Sequence, residues 1–408
     1  MSSRLKYIVV SASTCLTLLL LIGSVLGQGA SSPDETYKHI GVFTDVVSRI
    51  KSEYVEEPDM KSVTLGALNG MLEAIDPFAS YLNADQYKDY QKNRDVRRAD
   101  VGLILSKKFG YVGVVGVVPG SPAARSGFTT GDMVESINNV ATRDMPLAYA
   151  DLLLKGDPGS SVELSVVRVQ HPEPSTVKLN RTFLALPAVE DQMLAGQVAY
   201  LRPGALTAAK VKEVADDIEK VQKQGAQKLI VDLRNTALGE PDDGIAFANL
   251  FLNKGRITYL QGQRVARQNF DADPAKAITK LPVVFLTNRG TADAAEIAAA
   301  AVADNNRGEL VGEPTYGEAS LRRAITMDDG SAIILSVAKY YSADGKAIQD
   351  NRVTPKNQVL QVEPQVDLDD SGEPLPEEQK DQQQAPPQKK LDDDPMVKKA
   401  LEVLGAKA

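Results

Sequence analysis

Residues 283–320 read VVFLTNRGTADAAEIAAAAVADNNRGELVGEPTYGEAS. Val283 to Leu286 is a short apolar run, which predicts a buried strand. A helix is predicted from Ala294 to Asp304. Asp293 at its start, with Glu296 three residues on, has the pattern of a capping box. Working outward, Val198 to Leu201 and Lys228 to Leu233 read as further short strands, and Thr207 to Gln224 and Asp242 to Leu252 as helices. Strands alternating with helices predict a layered α/β domain over residues 187–358.

Upstream, residues 97–172 change character. Tyr111 to Val118 and Val162 to Val169 are β-branched runs, with PGSPAARSGFTTGD and a helical stretch from Pro146 to Leu154 between them. Residues 37–96 read as helical. Val42, Val46, Val47, Ile50 and Tyr54 recur at three- and four-residue steps, and a second helix is predicted over Val63 to Ala74. Asp76-Pro77-Phe78-Ala79-Ser80-Tyr81-Leu82 reads as a turn, because proline blocks helix continuation. Residues 366–394 are rich in Pro, Gln and acids and predict a disordered linker; residues 395–405 predict a short closing helix. The whole is an α/β (α+β) multidomain chain.

The chain has 408 residues, 43% hydrophobic content and a formal net charge of −8. That balance argues against a nucleic-acid binder, which shows a basic face. Cys15 is the one cysteine, so a disulfide framework and a cysteine metal cluster are both excluded, and no metal or cofactor is expected. The two histidines, His39 and His171, sit beside no plausible nucleophile, which leaves little material for a Ser-His-Asp triad. Arg4 and Lys6 precede an uncharged run from Tyr7 to Gly27. A basic start and an apolar run mark an export signal, and about 20 residues also suffice to span a bilayer. Residues 1–36 are therefore read as a cleaved signal or an uncleaved membrane anchor, followed by a tether. Both readings place the rest in the cell envelope, outside the cytoplasm.

Residues 98–170 resemble a PDZ domain of the circularly arranged type found in bacterial proteases. Val101-Gly102-Leu103-Ile104 matches its carboxylate-binding loop, and PGSPAARSGFTTGD and Asn138-Asn139 match its turns. Such a loop presents backbone N–H groups to a peptide's terminal carboxylate while the peptide adds a strand to a sheet edge. Over residues 37–358 the order of DPFASYL, the PDZ-like stretch, LIVDLRN, AFANLFL, the 283–320 segment and AKYYSADGKAIQDNRVTPK resembles C-terminal processing (tail-specific) peptidases.

The resemblance implies a serine–lysine dyad, with a neutral lysine as base and a glutamine positioning it. Here the residues depart from the pattern. The family has Gly-Ser-Ala-Ser-Ala-Ser-Glu-Ile, and this chain has Gly290-Thr291-Ala292-Asp293-Ala294-Ala295-Glu296-Ile297, which puts Asp293 at the nucleophile position. Glu318 falls at the lysine position, 25 residues on, the separation the family uses, and Arg322 falls at the glutamine position. In the oxyanion loop Leu238, before Gly239, replaces a glycine. The expected function is therefore an exported pseudopeptidase that binds protein C-termini or unstructured peptides without cutting them. An active relative or a second copy is a possible further partner. Two alternatives stay open: a serine-type peptidase with a displaced nucleophile, Thr291 or Ser320, and a hydrolase built on the Asp293–Glu318 carboxylate pair.

Overall fold

The computed structural model describes residues 33–93, 98–108, 110–143, 145–168, 171–360 and 391–405. The export segment 7–27 and residues 366–390 of the expected linker lie outside the described residues. Two compact units are formed, one reaching Gly66 and one running from Ala67 onward.

The first unit holds the helix Pro33–Glu53 and the start of the helix Met60–Ile75. The three- and four-residue spacing does produce a helix. Val47 and Ile50 are half-buried, but Val42 is 59% exposed and Val46 50%, and Tyr54, just past the helix, is 61% exposed. Among the described residues no helix is long and apolar enough to cross a membrane.

The second unit is built on a six-stranded sheet. Its strand order is Asn357–Gln358, Glu309–Gly312, Val283–Thr287, Lys228–Asp232, Val198–Arg202 and Glu190–Leu194. All neighbours are parallel except the last pair. Parallel strands covered on both faces read as unbroken apolar runs, and all five residues of Val283–Thr287 are buried. Alternate side chains serve opposite faces. Leu229, Val231 and Phe285 pack under the helices Ala208–Lys223, Pro241–Asn249 and Ala294–Asp304, together with Ile218, Phe247 and Ile297. Ile230, Val284 and Leu286 face the other way, onto the helix Pro395–Val403 through Met396, Val397 and Leu401.

That closing helix is capped by Asp394, whose Oδ1 accepts from Met396 N at 2.8 Å while its Oδ2 takes Arg234 Nη1 at 2.6 Å. Arg234 also holds the buried Asp232 at 2.6 Å, and Tyr200 donates to the same carboxylate at 2.7 Å. The last helix is thus tied by charge as well as by apolar contact.

A second sheet carries Ser80–Leu82, Ala332–Tyr341, Arg256–Gln261 and Gln268–Asp271, with Ser320–Thr326 hydrogen-bonded to Ala332–Tyr341. The DPFASYL segment therefore ends in a strand rather than being all turn. A third sheet, in order Leu103–Lys108, Tyr111–Val117, Met133–Ile137, Ser161–Arg168 and His171–Asn180, packs on the helix Leu147–Leu154. Pro146 stands at the N-cap of that helix, one position before its first turn. Leu103–Lys108 lies at the sheet edge.

Leu401 is 2% exposed in the contact between the closing helix and the sheet. Leu401→Ala should lower stability by about 2–5 kcal/mol, read from urea unfolding monitored by circular dichroism.

Candidate active site

The site begins where the strand Val283–Thr287 hands over to the helix Ala294–Asp304. Thr291 knits the turn: its hydroxyl donates to Leu233 O at 2.9 Å and accepts from Asn288 N at 3.0 Å. Ala292 N donates to Thr236 O at 3.0 Å and Tyr316 N to Thr291 O at 2.9 Å. Asp293 follows with φ 47° and ψ −110°. A non-glycine residue in that conformation carries strain of about 1–3 kcal/mol and persists only when its surroundings fix it. The turn thrusts the Asp293 side chain out at the helix N-terminus.

Glu296, one turn into the helix and fully buried, fixes the rest. Its Oε2 accepts from Asp293 N at 3.0 Å and from Glu318 N at 2.8 Å. Its Oε1 accepts from Gly317 N at 2.7 Å and Thr315 Oγ1 at 2.5 Å. A single oxygen thus takes amides from both residue 293 and residue 318. Burial pushes the Glu296 carboxyl up to about 7 against the pull of these four donors.

Glu318 is buried, and its Oε1 accepts from Arg322 Nη2 at 2.9 Å. Burial raises the Glu318 carboxyl, and Arg322 opposes that rise. The Arg322 guanidinium also lies over the Phe78 ring, 5.3 Å from its centroid. Asp293 is held well above the usual carboxylate range, first by burial and then by the charge of Glu318; Arg322 pulls the other way. Asp293 Oδ1 is buried with no hydrogen-bond partner. Asp293, Glu318 and Arg322, chosen from sequence alignment to a pattern, are therefore brought into one electrostatic cluster.

The loop 234–239 lies alongside. Leu238 O accepts from Leu206 N at 2.7 Å. At Gly239 a Cβ would fall 2.2 Å from Leu206 O, so only glycine fits. Ser320, offered as a displaced nucleophile, shares a 3.0 Å hydrogen bond with Ser336 and is 7% exposed. Thr291 is fully buried and spends its hydroxyl on the turn. Neither is presented as a nucleophile.

Comparison with known proteins fits this geometry. Residues 197–359 match the model of peptidase family S41, and residues 113–168 match a PDZ domain. The carboxyl-terminal-processing protease of Synechocystis sp. is 30% identical, across 80% of this chain and 77% of its own length. The chain belongs to peptidase family S41. The carboxy-terminal processing protease CtpA of Bacillus subtilis is 29% identical over 86% of this chain and 75% of its own length. The photosystem II D1 C-terminal processing protease has the same fold, with a TM-score of 0.63 at 24% identity, covering 78% of this chain and 92% of that one.

In this S41 chain the PDZ loop Val101, Gly102, Leu103 and Ile104 leads into an edge strand whose Ile104 pairs with Gly116, and a Cβ at Gly116 would fall 2.7 Å from Ala237 in the 234–239 loop, beside the strand-to-helix elbow at Asp293. Val101 is fully buried and Leu103 is 7% exposed. Gly102 N already donates to Asp100 Oδ1 at 2.9 Å, and Gly102 has φ 85° with Ser121 packed against it. That amide is engaged within the domain, and Ile104 is the most open of the four side chains. Two further participants were missed from sequence. Glu296 was read only as a helix cap, because its ties to Thr315, Gly317 and Glu318 are tertiary. Asp151 acts electrostatically on Arg322 from the PDZ helix. An acid inside the apolar run LAYADLLL was the available signal.

Stability should respond to pH through these carboxyls. Glu296 and Asp151 are both pushed up to about 7, each mainly by burial. A group whose pKa is raised on folding binds more protons in the native state, so its stabilisation is complete below its unfolded pKa and fades as pH rises through the folded one. Unfolding free energy should therefore fall between about pH 4.5 and about pH 7. Glu296→Gln should flatten that slope and cost about 1–3 kcal/mol at pH 5, since its amide would face backbone N–H groups. Urea melts of both proteins at pH 5, 6 and 7.5 would decide it; a wild-type stability that rises across this range would contradict the assignment.

Proposed function

We propose that this S41 protein is exported and acts as a pseudopeptidase: it binds protein C-termini or unstructured peptides and does not cleave them. The observation that carries the reading is the cluster at the elbow. The turn projects the residue at position 293 at a helix N-terminus, but that residue is a half-buried carboxyl whose Oδ1 is buried without a hydrogen-bond partner. Opposite it stands Glu318 paired with Arg322, where a serine nucleophile would need a base. A carboxylate attacking an amide would have to form an anhydride, and an ionised glutamate is a weak base at neutral pH. A PDZ domain and an S41 fold fit peptide capture. Export is supported by Arg4 and Lys6 ahead of the uncharged run Tyr7 to Gly27.

A second reading, hydrolysis by the Asp293–Glu318 pair, has one observation in its favour: the charge of Glu318 helps to hold the Asp293 carboxyl well above the usual range, while Arg322 pairs with Glu318 and opposes its rise. The two readings part in one assay, in which a disordered protein substrate is incubated with the full chain. Wild type should leave the substrate intact, and Asp293→Ser alone should leave it intact too, because no base is present. Asp293→Ser combined with Glu318→Lys and Arg322→Gln should recover weak cleavage and labelling by a serine-reactive probe; Leu238→Gly should strengthen it by opening the oxyanion loop. Wild-type cleavage that Asp293→Ala or Glu318→Ala abolishes would establish the carboxylate pair instead. For export, fractionation with protease accessibility should place the folded part outside the cytoplasm; its recovery with protected cytosolic markers would reject that part of the reading.

A further inference from the structure

A cavity of about 580 Å³ lies among the end of the helix Ala294–Asp304, the turn 342–346 and the segment 351–356. Its lining includes no residue of the Asp293, Glu318 and Arg322 cluster and none of the PDZ domain. The size falls within the range of about 300–1,000 Å³ typical of small-ligand sites.

Three acids, Asp304, Glu309 and Asp344, and three bases, Lys346, Arg352 and Lys356, line it. The formal charges cancel, yet among the described residues none of these groups enters a salt bridge. Opposite charges that share a cavity without pairing leave both signs open to a ligand. Two of the acids sit together, since Asp304 Oδ2 accepts from Asp344 N at 3.0 Å. Asp304 is also the last residue of its helix, whose final turn carries no basic residue. A helix C-terminus bears partial negative charge and favours a cation.

Arg352 and Lys356 come from a different wall, the segment 351–356. Arg352 has φ 55° and ψ 170°, a conformation close to one that glycine alone adopts freely. Neighbours hold it there: Arg352 N donates to Ile348 O at 2.8 Å, and Val353 N to Thr315 Oγ1 at 2.9 Å. Its side chain is exposed, and among the described residues the guanidinium has no hydrogen-bond partner. Strain is thus kept at a residue whose charged head serves nothing within the chain. Ser342 is a further, separate sign. It is 6% exposed and lines the same cavity, and its Oγ is buried with no hydrogen-bond partner. A buried hydroxyl costs stability until something bonds it. Ala300, Ala303, Leu310 and Ile348 supply apolar lining.

We propose that this cavity binds a small zwitterion, a molecule that carries an ammonium group and a carboxylate or phosphate. The anion meets Arg352 and Lys356, the ammonium meets Asp304, Asp344 and the helix end, and an apolar side group rests on Leu310 and Ile348. Arginine takes carboxylate and phosphate alike through paired N–H donors, and lysine adds a mobile point charge. A free amino acid and a phosphate-bearing amine share this chemistry. The site needs neither peptide capture nor any reaction at Asp293.

The test is isothermal titration calorimetry on the full chain at pH 7, with leucine, phosphoethanolamine, N-acetylleucine and leucinamide as probes. The last two keep one charge each. Leucine or phosphoethanolamine should bind about tenfold or more tightly than either of them, and the tighter zwitterion tells whether the anion is a carboxylate or a phosphate. Arg352→Gly should abolish that preference while melting no lower than wild type, because glycine suits the backbone at this position. Asp304→Asn keeps an oxygen for the Asp344 amide and should weaken zwitterion binding about tenfold. Zwitterion binding that both variants leave unchanged would overturn the proposal. So would single-charge probes that bind as tightly as leucine and phosphoethanolamine, or no binding of either zwitterion.

Discussion

The active-site region depends on one buried carboxylate. Glu296 accepts four hydrogen bonds, from two segments that are distant in sequence, and two of them converge on the same oxygen. That convergence sets how close residues 293 and 318 must lie, whatever side chains they carry. It also explains how a strained backbone at Asp293 is tolerated, because the amide of the strained residue is one of the four donors. An unmade bond here would leave a buried polar group unsatisfied, which costs more than a typical hydrogen bond gains.

Given that scaffold, Asp293, Glu318 and Arg322 make sense only together. An acid at 293 next to an acid at 318 would repel in a dry site. Arg322, four residues on from Glu318 and 2.9 Å from its carboxyl, compensates one of the two charges. The other is removed by holding the proton, which is the direction in which Asp293 is shifted. The cluster thus joins a strained strand-to-helix turn to a balance of charge among Asp293, Glu318 and Arg322. Phe78 under the Arg322 guanidinium extends the same compensation into the segment that carries DPFASYL.

Three strands of the central sheet, at 198–201, 228–233 and 283–286, and the covering helices were legible because their signals are local, whereas Glu190–Leu194, Glu309–Gly312 and Asn357–Gln358 were not read as strands. Unbroken apolar runs such as Val283–Thr287 and amphipathic spacing such as Val211, Val214 and Ile218 depend on burial of the element itself. The hairpin from Ser320 to Tyr341 was not read as strands, because its residues mix charge and apolar character and its pairing is set by tertiary contact. The elbow residues Asp293, Glu318 and Arg322 were legible only through a collinear pattern, since no periodicity brings positions 25 residues apart together. Exposure along Pro33–Glu53 runs against its helical spacing: a period predicts a face, and says nothing of what covers it.

The helix Pro395–Val403 has a bearing on how the protein is made. It covers the sheet face formed by Leu194, Val198, Ile230, Val284 and Val311, yet residues 359–394 separate it from the last strand of that sheet. Until that helix has been made and docked, this face lacks its cover, whereas the other face can close on helices that precede it in the chain. The Asp394 carboxylate ties the docked helix to Arg234, the residue at which the loop 234–239 begins. Burial of the sheet's second face is thereby joined by a charge pair to the loop that borders the turn at Asp293.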